Sequence, residues 1–196
     1  MRTIVTNQIV VALRVAVVAL VLCGLLYPLA VLAVGQTAFS GAADGSLVRR
    51  GGRVVGSVLI GQPFAAPRYF HPRPSSAGDG YDGRASGGSN LGPSSPELAT
   101  IVGERAAAYR DENHLAADVP VPVDAATASG SGLDPEISPA NARLQVARVA
   151  DARGMPPGRV RALVDAHTTG RFLGVLGEPG VNVLELNLAL DGAANG

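Results

Sequence analysis

The sequence contains no lysine, since all sixteen of its basic residues are arginine. A Walker A loop needs a lysine to reach the β- and γ-phosphates, and Schiff-base catalysis needs a lysine amine. The absence of lysine therefore excludes both. Tryptophan is also absent, aromatic residues make up only 4% of the chain, and 16 acidic residues balance the 16 basic ones. Because nucleic-acid binders carry basic patches and often stacking aromatics, this composition argues against a nucleic-acid partner as well.

Cysteine and histidine are scarce. Cys23 is the only cysteine, so no disulfide can form within the chain. It lies inside an apolar run, where a small side chain facing lipid or a helix is expected rather than a thiol nucleophile. The three histidines, His71, His114 and His167, are widely separated in the sequence. The pattern therefore predicts no metal site.

Long apolar runs, by contrast, are present at the N-terminus. Residues 15–34 carry no charge, and the apolar character extends back to Ile9. Twenty helical residues span ~30 Å, the thickness of the hydrocarbon core of a bilayer. We therefore predict a transmembrane helix over residues 9–34, after a short segment at residues 1–8. The alternative is a cleaved signal peptide ending near residues 31–33, but the apolar part of a signal peptide is only ~7–15 residues long.

Flanking arginines predict the orientation of this span. Arg2 and Arg14 precede the uncharged run, whereas the next basic residue after it is Arg49. Positive charge concentrates on the cytoplasmic side of membrane spans. Residues 1–8 are therefore predicted to be cytoplasmic, and residues 35–196 are predicted to form an extracytoplasmic domain.

The residues after the span predict a single α+β domain. Arg53–Ile60 is rich in β-branched residues and predicts a strand. Residues 181–190 alternate apolar and polar positions from Leu184 onward, which predicts a half-buried terminal strand. Between them, capping signals and apolar spacing predict helices over about 96–112, 139–154 and 157–169. Strands at both ends with helices between them are typical of the α+β class.

Capping residues fix the expected ends of two of these helices. Ser94 stands three residues before Glu97, as in a capping box. Ser138 is the expected N-cap of the second helix, which should end at Gly154. We expect Leu144, Ala147 and Ala150 to share the buried face of that second helix.

Two loops are rich in glycine and serine. By composition alone, residues 75–95 predict a flexible linker. Neither Ser89 nor Ser131 has glycine two positions away on both sides, so neither fits a nucleophile elbow. Backbone N–H groups of the loop Ser129–Gly132 could hold a phosphate without lysine, but the following helix begins several residues later. A tight structural turn is the favoured interpretation there, and His71 remains the one histidine with a possible functional role.

Five ordered segments behind one N-terminal span resemble the C subunits of the Kdp potassium-transporting ATPases. The resemblance covers nearly the whole chain, from about residue 10 to Asp191. Its segments are Gly56–Gln62, Tyr69–Ser75, Ser86–Ser94, Thr127–Pro139 and Gly177–Leu184.

This resemblance implies an accessory subunit in a bacterial plasma membrane. Its implied partners are a pore-forming A subunit, an ATP-hydrolysing B subunit and a small F subunit, together with membrane lipid. The chain itself is implied to be non-catalytic, because without lysine it cannot contain the Asp-Lys-Thr-Gly-Thr phosphorylation motif of P-type pumps. The family's suggested roles are to stabilise assembly and, as a catalytic chaperone, to raise the ATP affinity of the ATPase subunit.

The resemblance also leads to expectations about which residues contact ligands and partners. No cofactor is expected to bind tightly, and ATP would be reached through the ATPase subunit. Direct contact with ATP conflicts with the predicted topology, which puts these loops outside the cell. The resemblance also predicts that Ser86–Ser94 is an ordered loop rather than a linker. The nucleotide-contact candidates are Ser129, Gly130, Ser131, Gly132 and Gln145, and the partner-contact candidates are Tyr69, Phe70, His71, Arg73, Ser89, Asn90 and Leu91.

Two other kinds of protein remain compatible with the residues alone. One is a stand-alone, membrane-anchored module that binds an extracytoplasmic ligand. The other is a secreted hydrolase whose mature N-terminus would lie near Val34.

Overall fold

The computed structural model describes residues 2–193 and divides between Leu47 and Val48 into two compact units. The first unit is mainly one long helix, composed of α1 (Arg2–Val21), a π-helical turn (Leu22–Leu26) and α2 (Tyr27–Ala38). A short helix, α3 (Ser40–Ala43), follows. The π-helical turn ends two residues before Pro28, whose ring and missing N–H disturb a regular helix.

The long helix has the length and composition of a membrane span. Within Val5–Ala38, an 18-residue stretch reaches a mean hydropathy of 2.9, and none of that stretch is buried within the chain. The helical elements extend beyond residues 9–34 at both ends, and residues 9–34 remain the predicted membrane-spanning part. The exposed apolar side chains of the helix need an apolar environment outside this chain.

The second unit combines short strands with longer helices, which confirms the predicted α+β class. A two-stranded sheet consists of β1 (Leu47–Arg50) and β2 (Arg53–Ser57). A three-stranded antiparallel sheet has the order β3 (Glu136–Ile137), β5 (Gly180–Asn182) and β4 (Thr168–Thr169). Its register pairs Ile137 and Thr168 with opposite sides of Val181.

The described residues of this unit, up to 193, also form five helices: α4 (Pro96–Glu112), α5 (Val123–Ala126), α6 (Pro139–Arg153), α7 (Pro157–Ala166) and α8 (Val183–Ala193). Helices α6, α7 and α8 pack with β5 around one apolar core. Phe70 is the largest of the fully buried core side chains, although it belongs to a segment without regular secondary structure. The core also contains Ile137, Ala142, Val146, Val149, Ala150, Val160, Val164, Val181, Val183, Leu186 and Leu190.

The predicted terminal strand over residues 181–190 is wrong beyond Asn182, because α8 begins at Val183. Leucines at every second position fit a strand, but they also fit a helix in which every turn is partly apolar. Val183, Leu186 and Leu190 are buried with helical spacing, and leucine, alanine and glutamate favour a helix. The predicted strand Arg53–Ile60 is shorter than expected and ends at Ser57.

The expected helix ends are mostly confirmed. Helix α6 has Ser138 as its N-cap and Gly154, at φ 62°, as its C-cap. Helix α4 ends at Glu112 as predicted, but its N-cap is Ser95 rather than Ser94, because the Ser95 side chain accepts a hydrogen bond from the N–H of Leu98.

Two further expectations need correction. Helix α7 ends at Ala166 rather than Thr169, because Thr168–Thr169 pair with β5. The buried face expected for α6 is also wrong: Ala150 is buried, whereas Ala147 is exposed and Leu144 is only partly covered.

Candidate functional site

The most elaborate polar arrangement in the domain holds residues 67–74, which we call the clamped segment. Pro72 and Pro74 keep this segment out of a helix, so its backbone groups need partners elsewhere. Two side-chain amides supply them. Asn187 of α8 accepts from the Phe70 N–H at 2.8 Å and donates to the Phe70 carbonyl at 3.0 Å. Gln145 of α6 does the same for His71, at 2.7 and 3.1 Å.

Gln145 is fully engaged by these contacts and two others. Its oxygen also accepts from Arg148 at 2.7 Å, and its amide nitrogen donates to Asn141 at 2.9 Å. The side chain is 1% exposed. A carboxamide has two donor hydrogens and two acceptor lone pairs, so all four positions of Gln145 are occupied.

Arg148 supports the same segment from α6. One terminal nitrogen donates to the carbonyls of Pro67 and Tyr69, at 2.6 and 2.9 Å. Its Nε donates to the Asn113 side chain at 3.0 Å. The buried guanidinium therefore connects α4, α6 and the clamped segment.

The Asp191 carboxylate also holds the N-terminal end of the clamped segment. The Asp191 carboxylate accepts from Arg153 at 2.9 Å, Arg50 at 3.0 Å, Tyr69 at 3.3 Å and Arg68 at 3.4 Å. Burial raises the pKa of Asp191, but the hydrogen bond and charge of Arg153, followed by the bonds from Arg50 and Tyr69, outweigh it and hold the pKa below its ordinary value. Asp191 thus stays ionised and ties α8, α6, β1 and the clamped segment together.

A cleft of about 230 Å³ lies beside His71 and is lined also by Arg105, Tyr109, Glu112 and Gln145. Nδ1 of His71 lies 2.8 Å from a Glu112 carboxylate oxygen, and Nε2 lies 3.1 Å from the Ala66 carbonyl. Burial and the charge of Arg148 lower the pKa of His71, and they outweigh the opposing effects of Ala66 and Glu112. This edge of the cleft is therefore polar and sensitive to protonation.

The two glycine- and serine-rich loops contact each other directly. The Ser131 carbonyl accepts from the Gly87 N–H at 2.9 Å and from the Ser86 hydroxyl at 3.0 Å. Gly132 has φ +68°, and a Cβ on it would lie 2.6 Å from both the Ala77 nitrogen and the Gly87 oxygen. Residues 86–88 are thus part of an ordered loop, and residues 129–132 form a structural turn.

A second cleft, of about 360 Å³, lies where these loops meet α4. Its lining includes Ser89 and Leu91 from the first loop, Thr127 and Ala128 before the turn, and Arg105 from α4. It is the larger of the two clefts described and contains both apolar and polar side chains.

The structure does not gather the five nucleotide-contact candidates in either of these clefts. Gln145 lines the first cleft but uses its amide within the domain, while Ser129 and Gly132 are buried in the turn. Gly130 and Ser131 are exposed. These positions have the character of fold-supporting residues, with only the outer edge of the turn open to a ligand.

The partner-contact candidates divide into two groups. Phe70 is 0% exposed and is withdrawn as a partner contact, because its ring fills the core. Tyr69, His71 and Arg73 are partly covered, and Arg73 pairs with Asp134 at 2.8 Å. On the first glycine-rich loop, Ser89 and Asn90 are exposed and Leu91 is partly covered.

Sequence reasoning missed the residues that organise the clamped segment. Asn187, Arg148 and Asp191 belong to no motif, and their partners lie far away in the sequence. The only available signal was the spacing of Asn141, Gln145 and Arg148 along one face of α6, which resembles an ordinary solvated face.

The fold and the site together define a class: residues 2–193 include one helix that is apolar and long enough to cross a membrane, followed by an α+β domain in which buried polar side chains hold the domain's own loops. The model of the family described as K⁺-transporting ATPase, c chain (KdpC) matches residues 9–192. The chain therefore belongs to the KdpC family.

Individual relatives agree with this assignment. The chain is 58% identical over 185 residues to the potassium-transporting ATPase KdpC subunit of Mycobacterium tuberculosis (strain H37Rv), covering 94% of this chain and 98% of the relative. It is 60% identical over 181 residues to the KdpC subunit of Myxococcus xanthus, covering 92% of this chain and 85% of the relative.

Proposed function

We propose that this chain is a non-catalytic subunit of an ATP-driven potassium import complex in a bacterial plasma membrane, and that it acts by binding and stabilising the other subunits. Those partners are a pore-forming A subunit, an ATP-hydrolysing B subunit and a small F subunit. The observation that carries the proposal is the Val5–Ala38 helix, whose apolar surface no other part of the described chain covers. The chain that contains it belongs to the KdpC family.

The proposed role of this helix is to pack on partner helices within the membrane. Without a hydrophobic driving force between helices in lipid, close backbone approach at small residues favours association. Ala12 and Ala16, and Ala19 and Cys23, provide such positions four residues apart. Arg2 and Arg14 favour a cytoplasmic N-terminus, which leaves the α+β domain outside.

Affinity purification of the tagged full chain from solubilised membranes tests the assembly role. We expect the pore-forming and ATP-hydrolysing subunits to be recovered with it. Ala16→Leu should reduce recovery because the larger side chain keeps a partner helix away, whereas Val17→Leu, which adds one methylene to an already large side chain, should not. Recovery of the chain alone would instead support a stand-alone binding module.

We further propose that any effect of this subunit on ATP affinity is indirect and passes through the ATPase subunit. The predicted topology puts the 129–132 turn on the side of the membrane opposite to cytosolic ATP. The saturated amide of Gln145 also leaves it no free hydrogen-bonding position for a nucleotide.

Thiol labelling of intact cells tests this topology. Ser131 is exposed, so Ser131→Cys in a Cys23→Ser background should react with a membrane-impermeant thiol reagent. Asn7→Cys in the same background is the control, and it should react only after permeabilisation. Labelling with the opposite pattern would reverse the topology and reopen direct contact with ATP.

A further inference from the structure

The connection between β4 and β5 exposes an unusual amount of apolar surface. We call residues Arg171–Glu178 the hairpin tip. Four large apolar side chains lie in a run of five residues: Phe172 is 69% exposed, Leu173 78%, Val175 71% and Leu176 58%. A soluble surface seldom concentrates such residues without a binding role.

The hairpin tip has a defined shape rather than that of a loose loop. The Phe172 N–H donates to the Leu176 carbonyl at 2.8 Å, and the Leu176 N–H donates to the Phe172 carbonyl at 2.9 Å. At the base, Arg171 pairs with both carboxylate oxygens of Glu178, at 2.7 and 2.9 Å. After the hairpin tip the chain continues into β5, which is the central strand of its sheet.

Leu173 adopts a backbone conformation that its side chain disfavours. Its φ is +53°, in the left-handed region where bulky residues are outliers and glycine or asparagine is preferred. The neighbouring Gly174 has φ +78° at no steric cost. A strained leucine that is also mostly exposed gains nothing from the packing of its own domain, and such strain concentrates at binding sites.

We infer that the hairpin tip is a preformed anchor that docks into an uncharged, apolar pocket on another protein subunit of the same complex. This inference rests on the proposed function. It adds the residues of one interface outside the membrane span.

The charge and shape of the hairpin tip favour a protein partner over a lipid surface. The only basic residue, Arg171, is neutralised by Glu178, and no lysine or tryptophan is present to hold the hairpin tip at lipid headgroups. A fluid bilayer also requires no fixed shape. A protein pocket does, and a preformed loop binds more tightly because less conformational entropy is lost on docking.

The partner pocket should match this chemistry. It should be lined by aliphatic or aromatic side chains and should lack an unpaired charge at its centre, because the hairpin tip offers none to compensate it. Phe172 and Leu173 are the expected central anchors.

A photocrosslinker tests the identity of the partner. In the full complex in native membranes, Leu173→p-benzoylphenylalanine should crosslink to a polypeptide that mass spectrometry identifies as another subunit of the same ATPase. The same substitution at the exposed Arg84 is the positional control. Crosslinks at position 173 only to lipid, only to a second copy of this chain, or to nothing would overturn the inference.

A variant tests the energetic role of the hairpin tip. Leu173→Asn keeps the side-chain size and suits the left-handed backbone, so it preserves the turn while removing the apolar contact. Association measured by co-purification should weaken by roughly tenfold. Leu59→Asn, at a leucine that is 59% exposed elsewhere on the domain, should leave association unchanged.

The two proposals fail in distinguishable ways. If the wild-type chain recovers no other subunit, the proposed function fails. If the wild-type chain recovers them and Leu173→Asn recovers them equally well, the assembly role stands and the docking inference is wrong.

Discussion

Replacing Asn187 by leucine should destabilise the α+β domain strongly, although leucine has a similar size and greater hydrophobicity. Asn187 is 1% exposed, and its amide makes both hydrogen bonds of the Phe70 backbone. In Asn187→Leu, a buried N–H and a buried carbonyl lose their partners together. Each such loss costs ~1–3 kcal/mol, and the gain from burying a leucine offsets part of it. We expect a net loss of about 2–4 kcal/mol.

Thermal unfolding of the full chain in detergent, followed by circular dichroism, measures this loss. For a domain of this size, ~2–4 °C per kcal/mol corresponds to a fall in Tm of roughly 10 °C. Hydrogen exchange should report the same event locally, because the Phe70 N–H loses its protection. The matched control is Glu185→Leu, which adds leucine on the exposed side of the same helix and should change stability by less than ~0.5 kcal/mol.

An acidic variant separates the two hydrogen bonds. Asn187→Asp keeps an acceptor for the Phe70 N–H but faces the Phe70 carbonyl with an oxygen. A protonated carboxyl can donate to that carbonyl, so this variant should recover stability as the pH is lowered toward 4. If the free energy of unfolding of Asn187→Leu lies within ~0.5 kcal/mol of the wild-type value, the clamped segment does not depend on this amide and the reasoning is refuted.

Three further outcomes follow from the same contacts. Asp191→Ala should cost ~3–5 kcal/mol in chemical denaturation, because Arg153, whose side chain is 2% exposed, loses its carboxylate; Asp191→Asn should cost less. The lowered pKa of His71 means that the unfolded chain binds more protons just below about pH 6.5, so stability should fall as the pH drops through that range. His71→Gln should flatten this slope in unfolding measured between pH 5 and 7. Gly132→Ala should lower Tm and increase hydrogen exchange at residues 86–88, because its Cβ would collide with Ala77 and Gly87.

Features with local causes could be predicted from the sequence. The long apolar helix follows from an uncharged run, and α6 follows from a serine before proline and a glycine at its end. Helix α8 could not be separated from a strand, because its alternating leucines satisfy both periods. There, the burial of Leu186 and Leu190 in the core that α6 and α7 also line decides the conformation.

Buried polar residues were beyond sequence reasoning for a physical reason. The sequence predicts a buried face of α6 at Leu144, Ala147 and Ala150, but only Ala150 is buried. The helix turns Gln145 and Arg148 inward as well. Their cost of burial is met by backbone groups 74 to 81 residues away in the sequence. The residue pattern of α6 does not indicate that the backbone groups of a distant proline-rich segment need hydrogen-bond donors and acceptors at this position.

The same arrangement changes what a functional defect at Gln145 would mean. Gln145 and Asn187 hold adjacent residues of the clamped segment, and they do so with the same pair of hydrogen bonds. A fall in ATP affinity after replacing Gln145 therefore does not by itself identify a nucleotide contact, because loosening the clamped segment could lower the ATP affinity in the same way. The test compares a Gln145 variant with an Asn187 variant that loses the same amount of domain stability. Only if the Gln145 variant alone lowers the ATP affinity does the defect indicate contact with nucleotide rather than loss of order. The nucleotide-contact candidates included Gln145 but not Asn187, and Asn187 is the structural counterpart with which any effect of Gln145 on ATP affinity must be compared.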